Sequence, residues 1–323
     1  MVDSDITIRR ATDDDLERIV EVGAAALGWK PGEPNEDLFR WKHLENPFGT
    51  SPIWVAEEGD RLAGYRAFMR WEFDGPDGRR WRAVRAVDTA THPDFQRRGI
   101  FRQLTMQGVE EMTAEGVDIV FNTPNIRSRP GYLKLGWRDV GRLPVAARPT
   151  GLRSVARLRG ARAAAEKWSE ESATGAPAVE VLADDALGSL VAPDTGGLST
   201  PWTLELLRWR YRLEPLRYRV WVPDGVDGGV VFFRVRRRGT ARECSVASVL
   251  TPVGDAARGR RLLAGLAASV DAEYLLCIGA SDLRHGFIAV PRQGPRLTTR
   301  ALASEPPKGM GEWSLQLGDV ELF

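Results

Sequence analysis

Asp88-Thr89-Ala90-Thr91-His92-Pro93-Asp94-Phe95-Gln96-Arg97-Arg98-Gly99-Ile100-Phe101-Arg102 is the segment from which the rest of the chain is read. The apolar-flanked run Ala83–Ala90 reads as a strand. It leads into a turn at His92-Pro93, a basic loop with one glycine, and a periodic segment from Phe101 to about Glu115 that reads as a helix. In such a strand-loop-helix unit Gly99 permits a tight turn, on which successive amide N–H groups and the positive end of the helix dipole converge. A point of that kind holds phosphate, and Arg97, Arg98 and Arg102 add charged donors around it. A solvated helix start is equally basic, so the neighbouring segments must decide.

Downstream, Asp118-Ile119-Val120-Phe121-Asn122 reads as a buried strand, followed by Arg129-Pro130-Gly131-Tyr132-Leu133-Lys134-Leu135-Gly136-Trp137. Gln96–Phe101 resembles the Gln/Arg-x-x-Gly-x-Gly/Ala signature of the GCN5-related N-acetyltransferases (GNAT), with Phe101 where that family has Gly or Ala. The Tyr132–Trp137 segment resembles the family's Tyr-x-x-x-Gly-Phe. The resemblance implies an acetyl-CoA co-substrate, with its pantetheine arm paired to the backbone of Thr89, Ala90 and Thr91. It implies a pyrophosphate cradle made by Gln96, Arg97, Arg98, Gly99, Ile100, Phe101 and Arg102. Tyr132 is then the acid for the departing thiolate, since a phenol of pKa ~10 is matched to an alkyl thiolate; a packing tyrosine is the alternative. Asn122 and Asn125 fall where the strands diverge toward the cofactor, with Asn125 as the side-chain donor; a turn cap is the alternative for either.

The general base is open at this stage. His92 precedes a proline in the loop and reads as structural; His43 shares a helix with Trp41, and His285 lies in the second half. Asp88 and Glu45 are carboxylates expected near the cleft. The chain ends in Phe323, and it resembles the tandem-GNAT enhanced-intracellular-survival (Eis) type, in which the carboxylate of a C-terminal phenylalanine serves as base. That resemblance makes Phe323 a further catalytic residue. No third, carrier-protein-like domain of that family is read here.

The first half reads as strand (Ile6–Arg10), helix after Thr12-Asp13-Asp14-Asp15, helix (Asp37–Leu44), then a meander with turns at Glu58-Gly59-Asp60 and Asp74–Gly78. A weak repeat follows. Leu38-Phe39-Arg40-Trp41 recurs as Leu206-Leu207-Arg208-Trp209, Trp54-Val55 as Trp221-Val222, and Thr91…Arg98-Gly99 as Thr251…Arg258-Gly259, while Val179–Val181 stands for the opening strand. The expected class is α/β (α+β): two tandem GNAT folds, each a mixed, mostly antiparallel twisted sheet flanked by helices. The expected division is a catalytic domain at 1–149, a linker helix at 150–176, and a degenerate domain at 177–323 with a C-terminal strand. Ala256-Ala257 replace Gln96-Arg97 in that second copy, so it is expected to bind no CoA.

At 323 residues the chain is long enough for two domains. Its 45 Lys+Arg against 44 Asp+Glu give a net charge of +1, which argues against a nucleic-acid partner. Cys244 and Cys277 have no metal spacing and read as buried thiols, so no metal is expected. No leader or apolar run of membrane length is read, hence a cytoplasmic location and no membrane partner are expected. The function expected is acetyl transfer to a primary amine of a small molecule, an amino sugar, aminoglycoside or similar. Asp13–Asp15, Glu33, Glu36 and Asp37 form a candidate acidic acceptor wall, or merely solvated helix starts. Two rivals are a non-catalytic acyl-CoA sensor, against which Tyr132 counts, and a cell-wall aminoacyl-transferase, which needs a basic groove or coiled-coil insertion for tRNA.

Overall fold

The computed structural model describes residues 6–151, 154, 164–192, 196–279 and 285–321. Along the chain run β1 (Thr7–Arg10), α1 (Leu16–Leu27), α2 (Asn35–His43), β2 (Ile53–Glu58), β3 (Arg61–Asp74) and β4 (Arg80–Thr91). Then come α3 (Ile100–Ala114), β5 (Ile119–Asn122), α4 (Arg129–Lys134), β6 (Arg138–Arg142) and β7 (Val145–Pro149). The later elements are β8 (Ala176–Pro177), β9 (Leu198–Ser199), α5 (Leu204–Tyr211), β10 (Arg219–Trp221), β11 (Val230–Arg238) and β12 (Ala241–Leu250). Last are α6 (Ala256–Ser269), β13 (Tyr274–Ile278), β14 (Ile288–Ala289), β15 (Arg296–Ala301), β16 (Trp313–Ser314) and α7 (Leu317–Val320).

The backbone forms two compact units: Met1–Gly141 with Arg296–Lys308, and Arg142–Pro295 with Gly309–Phe323. In the first, a sheet runs β1-β2-β3-β4-β5-β15-β6. The expected meander is present, β1 to β4 pairing antiparallel, with β4 and β5 parallel for only three residue pairs, Ala83–Ile119 to Arg85–Phe121. Beyond that point the two strands part. Helix α3 buries Ile100, Leu104, Gly108 and Met112 along one side, a four-residue repeat that lays it on Trp54 and Phe68 of the sheet.

The second unit repeats this plan in the order β8-β10-β11-β12-β13-β7-β14, and β12 and β13 are likewise parallel over three pairs before parting. Two mixed sheets flanked by helices are what the tandem reading required. The expected boundary at residue 149 is crossed in both directions, however. Strand β7 lies beside β13 in the second sheet, and β15 lies beside β5 in the first. Each sheet thus fills its sixth place with a strand that the sequence sets beside the other repeat.

Three local expectations change. Residues 152–153 and 155–163 of the linker lie outside the described residues; from Ala165 the segment is extended, bridging Arg238 at Ala165 and Val235 at Glu170. Glu170 is drawn there by ion pairs to Arg237 and Arg242. Val179–Val181 is helical, because Leu182 N–H closes a turn on the Ala178 carbonyl, and the opening strand is β8. The C-terminal strand is only β16, followed by the single turn α7. Both cysteines are free thiols, and burial pushes Cys277 up to about 12.

Candidate active site

Strand β4 shapes the site in the first unit. Its register against β3 steps from Ala67–Val87 to Arg66–Thr89, leaving Asp88 as an extra residue with φ of 42°. Such a bulge re-aims the backbone groups after it, here Thr89, Ala90 and Thr91. Gly64 makes room beneath them, since a Cβ there would stand 2.7 Å from the Ala90 carbonyl oxygen.

The Asp88 carboxylate secures the bulge. It accepts from Lys42 Nζ and from His43 Nε2 at 2.8 Å, and His43 Nδ1 lies 2.9 Å from Ser51 Oγ. With Asp88 ionised, Nε2 carries the imidazole proton and the Ser51 hydroxyl donates to Nδ1. Burial would raise the Asp88 pKa, but Lys42 and His43 hold it well below the usual carboxylate range. A carboxylate held there is a weak base near neutrality. The structure therefore makes Asp88 an anchor for the bulge instead of the expected base. Glu45 is exposed, and the expectation for Phe323 falls on a residue outside the described ones.

Beyond the bulge, the loop leading into α3 borders a groove of about 350 Å³. Its walls include Thr89, Ala90, Thr91, Gln96, Arg97, Gly99, Ile100 and Phe101, which the motif singled out, together with Ala26 and Leu27 of α1. Arg97 and Gly99 take positive φ, 65° and 77°. Gly99 is the N-cap of α3 and no side chain caps that helix end. The first N–H groups of a helix have no acceptor within it, so Ile100 and Phe101 present theirs beside the groove. Arg97 and Arg102 are exposed, while Arg98 is tied to Glu58 at 2.6 Å.

Tyr132 is buried on α4 behind this groove, with its ring 5.4 Å from that of Phe101 and 5.2 Å from that of Trp137. Its hydroxyl oxygen accepts from both Nη1 and Nη2 of Arg66, each at 2.7 Å. Asn122 hydrogen-bonds the same hydroxyl and takes a hydrogen bond of 2.5 Å from Thr298 of β15 on its own Oδ1. Burial raises the phenol's pKa above its ordinary value, while Arg66 and Asn122 pull it back. Asn122 thus supports Tyr132. Asn125 caps a turn, its Oδ1 accepting from Arg127 and Ser128 N–H, both at 2.9 Å.

Sequence reasoning missed Arg66, Lys42 and Thr298. Arg66 had a signal, a charge inside the apolar run Gly64–Met69; Thr298 had none, because nothing local says which sheet β15 joins. Two carboxylates of the expected acidic wall are ion-paired, Asp15 buried against Arg9 and Glu36 with Arg40, and Glu33 accepts from the neutral Asn35 amide.

Among the described residues the second unit lacks an equivalent cradle. Helix α6 starts at Ala256, three residues before Gly259, and its N-terminus is capped by Asp255, whose carboxylate accepts from Arg258 N–H at 3.0 Å. An anion is already in place where a phosphate would go. On the neighbouring strand, Val249 N–H donates to Gln316 Oε1 at 2.7 Å, so the chain's own C-terminal segment takes up that backbone donor. Among the described residues no cluster of metal-binding side chains occurs, and no helix is long and apolar enough to cross a membrane.

Comparison with known proteins agrees with this geometry. No curated protein sequence matches the chain significantly. Among solved structures, it is similar to a probable N-acyltransferase from Enterococcus faecalis (TM-score 0.62, 11% identity, covering 93% of this chain and 73% of that one). It is also similar to a GCN5-related N-acetyltransferase from Kribbella flavida (0.59, 17%, 93% and 72%) and to Eis1 from Mycobacterium abscessus (0.57, 16%, 93% and 74%). At such identities the likeness is one of fold, and it extends over both units. Residues 7–140, which hold all of α1 to α4 and the loop described above, match the model of the acetyltransferase (GNAT) domain. Residues 7–140 thus match an acetyltransferase (GNAT) domain, and the two units together share the fold of solved GCN5-related N-acetyltransferases.

Proposed function

We propose that the chain transfers an acetyl group from acetyl-CoA to a primary amine of a small molecule, at one site in the first unit. The observation that carries this is the contrast between two helix starts. That of α3 is capped by Gly99 alone and opens on a groove, whereas that of α6 is filled by Asp255. A helix N-terminus with open N–H groups favours a pyrophosphate; one holding a carboxylate does not.

Residues Gln96–Phe101 would hold the pyrophosphate, and Thr89–Thr91 would pair with the pantetheine arm. Acetyl-CoA supplies an activated acyl group. The chain supplies orientation through the bulge fixed by Asp88, exclusion of water by Phe101 and Trp137, and a proton on Tyr132. The ion pairs of Asp15 and Glu36 reduce the acidity of that face and favour an acceptor with few charges, such as an amino sugar, over a polycationic aminoglycoside.

The test is calorimetric titration of acetyl-CoA into the wild type and a Gly99→Glu variant, followed by thiol-release assays with a panel of amines. One site per chain, lost in the variant, supports the reading. Two sites, or heat that survives Gly99→Glu, sinks it.

A further inference from the structure

Arg66 belongs to no motif, yet it is 0% exposed in the middle of β3. Burying a guanidinium is expensive unless an anion meets it. Among the described residues no carboxylate lies within ion-pair distance of Arg66, and its Nε has no acceptor. Asp88 influences it only through space, being bonded to Lys42 and His43. Both terminal nitrogens are spent on one oxygen, the Tyr132 hydroxyl. A neutral phenol returns little to that cation; a phenolate returns a full charge.

We propose that Arg66 is a positioning residue for the acid step, acting through Tyr132: it aims the phenol and is the fixed counter-charge for the phenolate that forms when Tyr132 gives up its proton. The inference rests on the acyl-transfer reading above. As the C–N bond to the acceptor forms and the C–S bond breaks, Tyr132 passes its proton to the leaving sulfur and is left as phenolate against Arg66. The proton lost by the acceptor nitrogen then restores the phenol, so charge and atoms balance over the cycle. The desolvation borne by Arg66 is offset in the resting protein by the Phe68, Phe101 and Tyr132 rings, 5.1–5.3 Å from its guanidinium, and is recovered further where negative charge develops, which is the condition for an interaction to accelerate a reaction.

The groups facing the phenol are Arg66 from β3, Asn122 from β5 with Thr298 behind it, Phe101 from α3, and Trp137; Arg66 is the one charge among these described residues. All five tyrosines of the chain are buried, and burial raises the other four. The tyrosinate absorbance of Tyr132 is therefore identified by difference from Tyr132→Phe, in the protein alone.

The experiment compares wild type, Arg66→Met, Arg66→Lys, Tyr132→Phe and the double variant Arg66→Met/Tyr132→Phe, with circular dichroism and melting as folding controls. Arg66→Met is expected to lower kcat on the order of 100-fold, with acetyl-CoA affinity unchanged. Lysine restores part of the rate. In the Tyr132→Phe background Arg66→Met produces no further loss. The Tyr132 ionisation and the alkaline limb of the rate profile move together to higher pH when the guanidinium is removed. Should Arg66→Met not fold, Arg66→Lys reads the same quantities with a smaller shift. An unmoved tyrosinate transition, an undiminished effect in the Tyr132→Phe background, or a change confined to the acceptor KM would overturn the proposal, the last making Arg66 a binding group. Because the tyrosinate titration needs no substrate, a coupled titration without turnover on any amine would sink the acyl-transfer reading and leave the Arg66–Tyr132 coupling standing.

Discussion

His43 Nε2 stands 2.8 Å from Asp88 Oδ2, the same oxygen that Lys42 Nζ meets, and the two side chains of α2 together hold β4 in its bulge. Burial keeps the His43 pKa below its ordinary value, so the folded protein resists protonating a ring that the unfolded chain protonates near pH 6.5. The stabilisation is present above that pH and is lost as the pH falls below it. Asp88, also depressed, adds a second loss that begins only below about pH 4. Melting curves between pH 7.5 and 5.5 should therefore slope more steeply for the wild type than for His43→Gln. Asp88→Asn, which leaves Lys42 buried beside an amide, should cost roughly 3–5 kcal/mol in urea denaturation at neutral pH.

Phe101 occupies the place where a small residue leaves the groove wider. Its ring borders the groove and meets the Tyr132 ring at 5.4 Å. Phe101→Ala should relax the choice of acyl group. Two added methylenes are worth about 1.6 kcal/mol when buried, roughly a fifteenfold change in relative kcat/KM for butyryl-CoA against acetyl-CoA. An unchanged ratio, measured by thiol release, would place the acyl group away from this ring.

Glu321 is buried in the second unit between Arg234 at 2.6 Å and Arg236 at 3.0 Å. Burial would raise its pKa, but the two guanidinium groups hold it at about 2. Its contribution is present above the unfolded value near 4.3 and is lost as pH falls from there toward 2. Glu321→Gln should lower stability by about 3 kcal/mol at pH 7, and the difference from wild type should shrink in denaturation series run from pH 5 to pH 3.

A chain of residues 1–149 contains every motif of the acetyltransferase domain but lacks β15, the strand between β5 and β6. It is expected to be poorly folded and to bind no acetyl-CoA. Residues 1–141 joined by a flexible linker to 296–308 should fold and bind. Comparable amide-exchange protection in both chains would contradict this.

Much of the candidate site is legible in the sequence because the groove is built from residues close along the chain. Gly99 at the helix start and the strand before it are close along the chain, and the groove assembles from them with Tyr132 packed against Phe101. What stays hidden depends on long-range pairing. No local pattern places Thr298, since Arg296–Ala301 carries nothing that names its partner strand and reaches Asn122 only through a contact spanning 176 residues. Asp88 is visible as a carboxylate but not as an anchor, because its partners lie on α2, His43 being 45 residues earlier. The second unit's loss of the cradle is legible in Ala256-Ala257, whereas Asp255 as the occupant of the helix end, and Gln316 on Val249, are not.

The placing of β15 also sets a timetable for synthesis. The strand pairs made early, β1 through β5, can form while the chain is still being extended, but the support of Asn122, and through it of Tyr132, waits for Thr298. Closing that pairing joins distant parts of the sequence and belongs to the slow, non-local class of contacts. A chain that stops before residue 298 leaves β5 without its neighbour on that side, so the first repeat stays unfinished until the second has been almost wholly translated.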